Sequence, residues 1–208
     1  MALPHPMRAC AHRLSIRLKR FLDDQRVYFV HITGLVRPGA RLPNFEVHPG
    51  TRGSLEGWED DDLQLLIDEG RRQFDRQLGD LDRLRGRAQF LFTIGLALAG
   101  AIASQAGSSN CLGATLPWVI GLAASAFAVL GAAAIMTGRA DFEMIDSAAL
   151  SRYDRPVRRP LAEDYAEMLR TGEETVATRL SLFRLAAVWL ILGALAGLIS
   201  VVVVDGPF

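Results

Sequence analysis

The 208 residues carry 23 basic and 23 acidic side chains and no net charge, so the chain lacks the cationic excess that nucleic-acid binding selects. Half of the residues are apolar, and 51 consecutive positions, 88–138, hold no Lys, Arg, Asp, Glu or His, a run that no soluble domain needs. Two cysteines, Cys10 and Cys111, and four scattered histidines, His5, His12, His31 and His48, offer neither a disulfide framework nor metal-ligand spacing.

Residues 1–59 contain five of the nine prolines and read as a weakly structured N-terminal extension. Within it, Leu14, Leu18, Phe21 and Leu22 outline a short amphipathic helix over 11–22 suited to a membrane surface, and Val27 to Val36 form a strand-like apolar run. The stretch from Met1 to Leu22 is Arg-rich and acid-free, which also matches a mitochondrial transit peptide in composition. Lys19 is the sole lysine beside 22 arginines; that bias fits a GC-rich bacterial source and is carried by the whole chain.

Residues 60–87 place Leu63, Ile67, Gly70, Phe74, Leu78, Leu81 and Leu84 at steps of three and four, with Ala88 next, one helical stripe leading into the first apolar block. Asp60, Asp61 and Asp62 suit the positive end of that helix, and Asp68 with Arg72, Asp80 with Arg83, and Asp82 with Arg85 are spaced for ion pairs. The block 88–137 divides into a transmembrane hairpin: a span over Ala88–Ala106, a turn over 107–117 rich in Gly and Ser, and a span starting at Trp118 after Pro117. Residues 138–184 form a second polar helical segment, in which Pro156 and Pro160 precede a stripe of Leu161, Tyr165, Met168, Gly172, Val176, Leu180 and Phe183. Leu185–Val204, 20 residues without charge, is long enough for a third span, and 205–208 form a short tail. The fold class is thus all-α and integral to a membrane, with three transmembrane helices and long amphipathic leaders.

Basic residues fall on one side of these spans. Fifteen precede the first, none lies in the 107–117 turn, eight lie in 139–184 and none follows Val204. The positive-inside bias places the N-terminus and the 139–184 segment in the cytoplasm and the C-terminus outside a bacterial inner membrane.

Arg83, Arg85 and Arg87 beside the first span, and Arg152, Arg155, Arg158 and Arg159 around two prolines in the loop, are candidate contacts for lipid phosphate or a soluble anion such as a nucleotide. The loop group exceeds what topology anchoring requires. Gly193 and Gly197 form a GxxxG, and with Gly95 and Ala99 they make a candidate helix-packing face, either within the chain or between copies of it. Thr93, Ser104, Ser125, Thr137 and Ser200 are the span hydroxyls; such groups commonly bond their own helix. The spans hold no ionisable side chain, which argues against an ion-coupled transporter. No nucleophile elbow, phosphate-cradling Gly-rich loop with Lys, or His-Glu-x-x-His is present, so neither enzymatic activity nor a cofactor is expected.

The order of leader helix, span, tight turn, span, amphipathic helix and span over residues 62–204 resembles the small multi-span bacterial membrane effectors of the SLATT and Pycsar type. The residues that carry it are Arg85-Gly-Arg-Ala-Gln-Phe-Leu-Phe92 entering the first span and Arg179-Leu-Ser-Leu-Phe-Arg184 entering the third. The resemblance implies an oligomer that impairs the inner membrane when a nucleotide-sensing system triggers it. The alternative expectation is a membrane-anchored scaffold or accessory subunit that docks a cytoplasmic protein, and a channel or transporter subunit comes third.

Overall fold

The computed structural model describes residues 22–35, 37, 55, 57–105, 112–138 and 157–205. Helices are the regular structure among these residues: α1 covers 22–34, α2 Asp60–Ala103, α3 Leu112–Thr137 and α4 Arg158–Asp205. Three of the four, α2, α3 and α4, are long and apolar enough to cross a membrane. At about 1.5 Å per residue, the 44 residues of α2 and the 48 of α4 extend to more than twice a hydrocarbon core of ~30 Å.

Local chemistry sets the ends of these helices. Gly57, at φ +82°, makes the turn before α2, where the Trp58 amide donates to the Leu55 carbonyl at 3.3 Å. Glu59 is the N-cap: its carbonyl accepts from the Leu63 amide at 3.1 Å, and its own amide donates to the Asp62 carboxylate at 3.4 Å. Two prolines expected to precede helices, Pro160 and Pro117, instead lie inside their starts. Pro160 is the third residue of α4, where the backbone has no intrahelical acceptor for an N–H in any case. Pro117 falls within α3, which therefore begins six residues before the expected Trp118.

The expected strand at 27–36 is corrected to helix α1. A ten-residue apolar run has no period that separates a strand from a buried helix. Here the line Tyr28, His31 and Leu35, spaced by three and four, turns inward, with Tyr28 fully buried. The amphipathic reading of 11–22 lies outside the described residues, apart from Leu22.

The described residues divide between two compact units. The charged unit takes Asn44–Ala88 and Gly138–Leu180, and so the first part of both long helices. There α2 and α4 run side by side in the same direction: Leu63, Ile67 and Ala162 are buried together, flanked by Leu55, Leu66, Leu161 and Tyr165. Further along, Gly70 admits the Tyr165 ring, which would lie 3.3 Å from an added Cβ, and the Gln77 amide donates to the Leu169 carbonyl at 3.1 Å. The apolar stripe of residues 60–88 is therefore covered within the chain.

The apolar unit takes Met1–Pro43, Gln89–Thr137 and Ser181–Phe208. In it α3 runs antiparallel to its two neighbours. Trp118 Nε1 donates to the Ile102 carbonyl at 2.7 Å near one end, and Phe127 stacks on Trp189 at 5.5 Å, with Val129 beside Gly95, toward the other. Small residues set the spacing: Ala124, Ser125, Ala128 and Ala132 are all buried on α3. Large apolar side chains face outward instead, Phe90, Leu195, Leu198 and Val202 each more than half exposed. An apolar surface of that kind requires a non-aqueous neighbour.

Candidate functional site

In the charged unit, the arginines singled out from sequence are placed as follows. Arg83 pairs with Asp80 and Arg85 with Asp82, each at 3.3 Å and each three residues apart on α2. Arg72 bridges to Glu69 at 3.8 Å rather than to Asp68, whose carboxylate accepts from Gln64 at 3.2 Å. Arg87 is exposed. Arg159 reaches Glu163 at 3.7 Å, one turn along α4. Arg152 and Arg155 lie outside the described residues.

Arg158 differs from these because its partner is distant in sequence. Its guanidinium donates to the Asp60 carboxylate at 2.9 Å, joining the first residue of α4 to the first residue of α2. Both side chains are about half exposed or more, at 49% and 69%, so the bridge sits in water and is worth about 1 kcal/mol or less. A second cross-helix contact lies two turns further along α4 and three along α2: Arg71 Nε donates to the Tyr165 hydroxyl at 3.2 Å, with its guanidinium 5.9 Å from the ring centroid. The paired beginnings of α2 and α4 are thus held by a small apolar cluster and weak, exchangeable polar contacts.

In the sequence Arg179 stands out only as part of a basic pattern. It is 5% exposed and donates to the Gly138 carbonyl at 2.7 Å, just past the last residue of α3, where a cation offsets the negative end of a helix dipole. Thr175 and Thr178, buried on the same helix, donate to the Thr171 and Glu174 carbonyls at 2.8 and 2.7 Å. An apolar-only stripe passes over all three: the two threonine hydroxyls are satisfied on their own helix, and the Arg179 guanidinium by a carbonyl 41 residues away.

In the apolar unit the small-residue positions meet partners in the same chain. A Cβ on Gly193 would come 2.6 Å from Ser125 Oγ, and one on Gly197 3.0 Å from Ile102. One on Gly95 would come 2.7 Å from Val129, and Ala99 is half-buried. The hydroxyls of Thr93, Ser104, Ser125 and Thr137 donate to carbonyls of Gln89, Ala101, Gly121 and Ala133 on their own helices at 2.8–3.0 Å.

Tyr28 carried no sequence signal beyond its apolar neighbours. Its ring occupies the notch left by Gly131, and its hydroxyl donates to the Phe127 carbonyl at 2.6 Å. Burial pushes that hydroxyl well above the ordinary phenol range, so it remains a donor. Phe29 stacks edge-on against Phe127 at 5.4 Å. An aromatic two or three positions from a buried histidine in an apolar run is the trace that could have marked α1 as docked.

No protein-family model, curated protein or solved structure matches this chain.

Proposed function

We propose that the protein is a non-enzymatic, three-span protein of a bacterial inner membrane that oligomerises and acts as a membrane effector or pore-forming component, switched through its cytoplasmic helices. The observation that carries this reading is that α2 and α4 each run unbroken from the charged unit into an apolar span. A change in how residues 60–88 pair with 158–180 is a change in helices that do not end before the membrane, and a continuous helix passes on rotation or tilt.

Arg158 supplies a trigger of suitable strength. An anion collected by Arg152, Arg155, Arg158 and Arg159, for which a cyclic nucleotide is the leading candidate, competes with Asp60 for the Arg158 guanidinium. An exposed ion pair is cheap to exchange, so modest binding is enough to release it. The likeness to the SLATT and Pycsar type of effector supports the same direction.

The test is dye release from liposomes holding the purified full-length chain, with and without a panel of cyclic nucleotides, beside its mass in detergent. Nucleotide-dependent leakage from an oligomer is expected, and its loss on Arg155→Gln, Arg158→Gln and Arg159→Gln together, with insertion intact. An inserted protein that never leaks would overturn the effector reading. The second reading, a membrane-anchored scaffold, is favoured by Trp58 and Leu65, which lie exposed on the charged unit at 43% and 69% and offer a protein partner two apolar anchors.

A further inference from the structure

Helix α1 belongs to the apolar unit, yet its described residues do not make a fourth span: 13 of them reach about 20 Å, against a core of ~30 Å, and Asp23, Asp24 and Arg26 put charge in its first turns. Both of its ends are charged, by Asp23, Asp24 and Arg26 before the apolar run and by Arg37 after it. A segment anchored by charge at each end, and too short to cross, keeps both ends on one side of a bilayer.

Its depth follows from what it touches. Tyr28 fills the notch at Gly131, six residues or about 9 Å before the end of α3 at Thr137. Phe29 stacks on Phe127, which stacks in turn on Trp189, five residues or about 7.5 Å beyond Arg184 on α4. Gly131 and Trp189 thus lie about 7.5–9 Å inside the ends of their helices' charge-free stretches, and Phe127, ten residues or about 15 Å before Thr137, marks the deepest point that the Tyr28 and Phe29 side chains reach. An amphipathic helix at an acyl–headgroup boundary is buried by a similar ~5–10 Å.

We propose that α1 is an interfacial helix lying in the membrane on the side of Arg87 and Arg184, clipped to α3 by Tyr28, with Leu22 and Phe29 among the acyl chains. Leu22 is 57% exposed and Phe29 40% exposed, although both are apolar, as are the outward side chains of the spans. Phe29 reaches toward Phe127, the deeper of the two α3 positions that α1 meets, and so into the hydrocarbon. Arg26 shares the exposed arc; its long apolar stem lets the guanidinium rise to lipid phosphate. The occupant of this face is lipid rather than protein because the charge at its ends and its depth both match the boundary. The proposal rests on the reading of α2, α3 and α4 as spans.

The test uses the full chain with Cys10→Ser and Cys111→Ser, carrying a single nitroxide label at Phe29→Cys, Asp23→Cys or Leu195→Cys, in phospholipid vesicles. Collision with oxygen, which concentrates in hydrocarbon, is compared with collision with a water-soluble nickel chelate. The Phe29 label should favour oxygen several-fold over the chelate, as the Leu195 label does, and the Asp23 label should favour the chelate. A Phe29 label open to the chelate, or shielded from both reagents by a protein neighbour, overturns the proposal while Leu195 still reports lipid. A Leu195 label in water overturns the spanning reading and this proposal with it. As a second measurement on the unaltered chain, a phospholipid with a diazirine in its acyl chain should crosslink to the peptide covering 22–34; adducts confined to the spans overturn the proposal.

Discussion

Gly121 occupies the tightest backbone approach in the apolar unit. A Cβ there would stand 3.0 Å from the Gly197 amide nitrogen and 3.2 Å from the Gly193 carbonyl oxygen, both backbone atoms that no rotamer change can move aside. The same substitution at Gly100 meets nothing within 4 Å. Gly121→Val should therefore force α3 and α4 apart and cost about 1–3 kcal/mol, the usual range for overpacking. Gly100→Ala should be neutral or should stabilise by up to about 1 kcal/mol through helix propensity alone. Both can be read from SDS unfolding followed by circular dichroism. Equal midpoints for the two variants would mean that the GxxxG face is not the α3–α4 contact. Tyr28 is a gentler case: the Phe127 carbonyl already accepts an intrahelical bond, so removing the tyrosine hydroxyl strands no acceptor.

At the level of helices, the pairing of α2 with α4 depends on few residues. Leu63, Ile67 and Ala162 form the buried cluster, so Ile67→Ala removes a large share of it and should cost about 2–5 kcal/mol. Gly79 and Gly86 have nothing within 4 Å, and alanine at either should not weaken the pair. Faster amide exchange over 60–70 in Ile67→Ala, with the spans unchanged, is the expected signature; unchanged exchange there would show that the cluster does not hold the helices together. The α2 stripe was legible because its members are apolar and regularly spaced, and Leu63, Ile67, Gly70, Leu81, Leu84 and Ala88 are indeed buried. On α4 the sequence is a poorer guide. Its buried line includes Thr175, Thr178 and Arg179, which periodicity of apolar residues skips because polar side chains with hydrogen-bond partners, on their own helix for the threonines and at Gly138 for Arg179, can be buried too. Of the candidate arginines, the pairs within one helix followed from spacing, whereas Arg158 with Asp60 joins positions 98 residues apart that only the fold brings together. For α1, the apolar run 27–36 carried composition without a period, and its helical form depends on a notch at Gly131 far along the chain.

For the molecule as a whole, the asymmetry of basic residues is the ground for the orientation that the proposed mechanism needs, since a cytoplasmic nucleotide reaches Arg158 only if the charged unit is cytoplasmic. Acidic residues do not oppose this: the 139–184 segment has nine of them beside its eight arginines, but the bias counts Lys and Arg near span ends. The two native cysteines sit on opposite sides of the predicted arrangement, Cys10 before the first span and Cys111 in the turn after it. An impermeant thiol reagent applied to spheroplasts should label Cys111, and Cys10 should react only after the membrane is opened. Cys10 alone labelled would invert the topology, putting the Arg cluster out of reach of a cytoplasmic ligand and ending the switch reading. Both labelled from outside would mean an even number of crossings between them: either α2 does not span or a further span precedes it. Because an interfacial α1 crosses nothing, it leaves this pattern unchanged, whereas a true fourth span between Cys10 and Asp60 would place both cysteines on one side; the labelling therefore checks the span count as well as the direction.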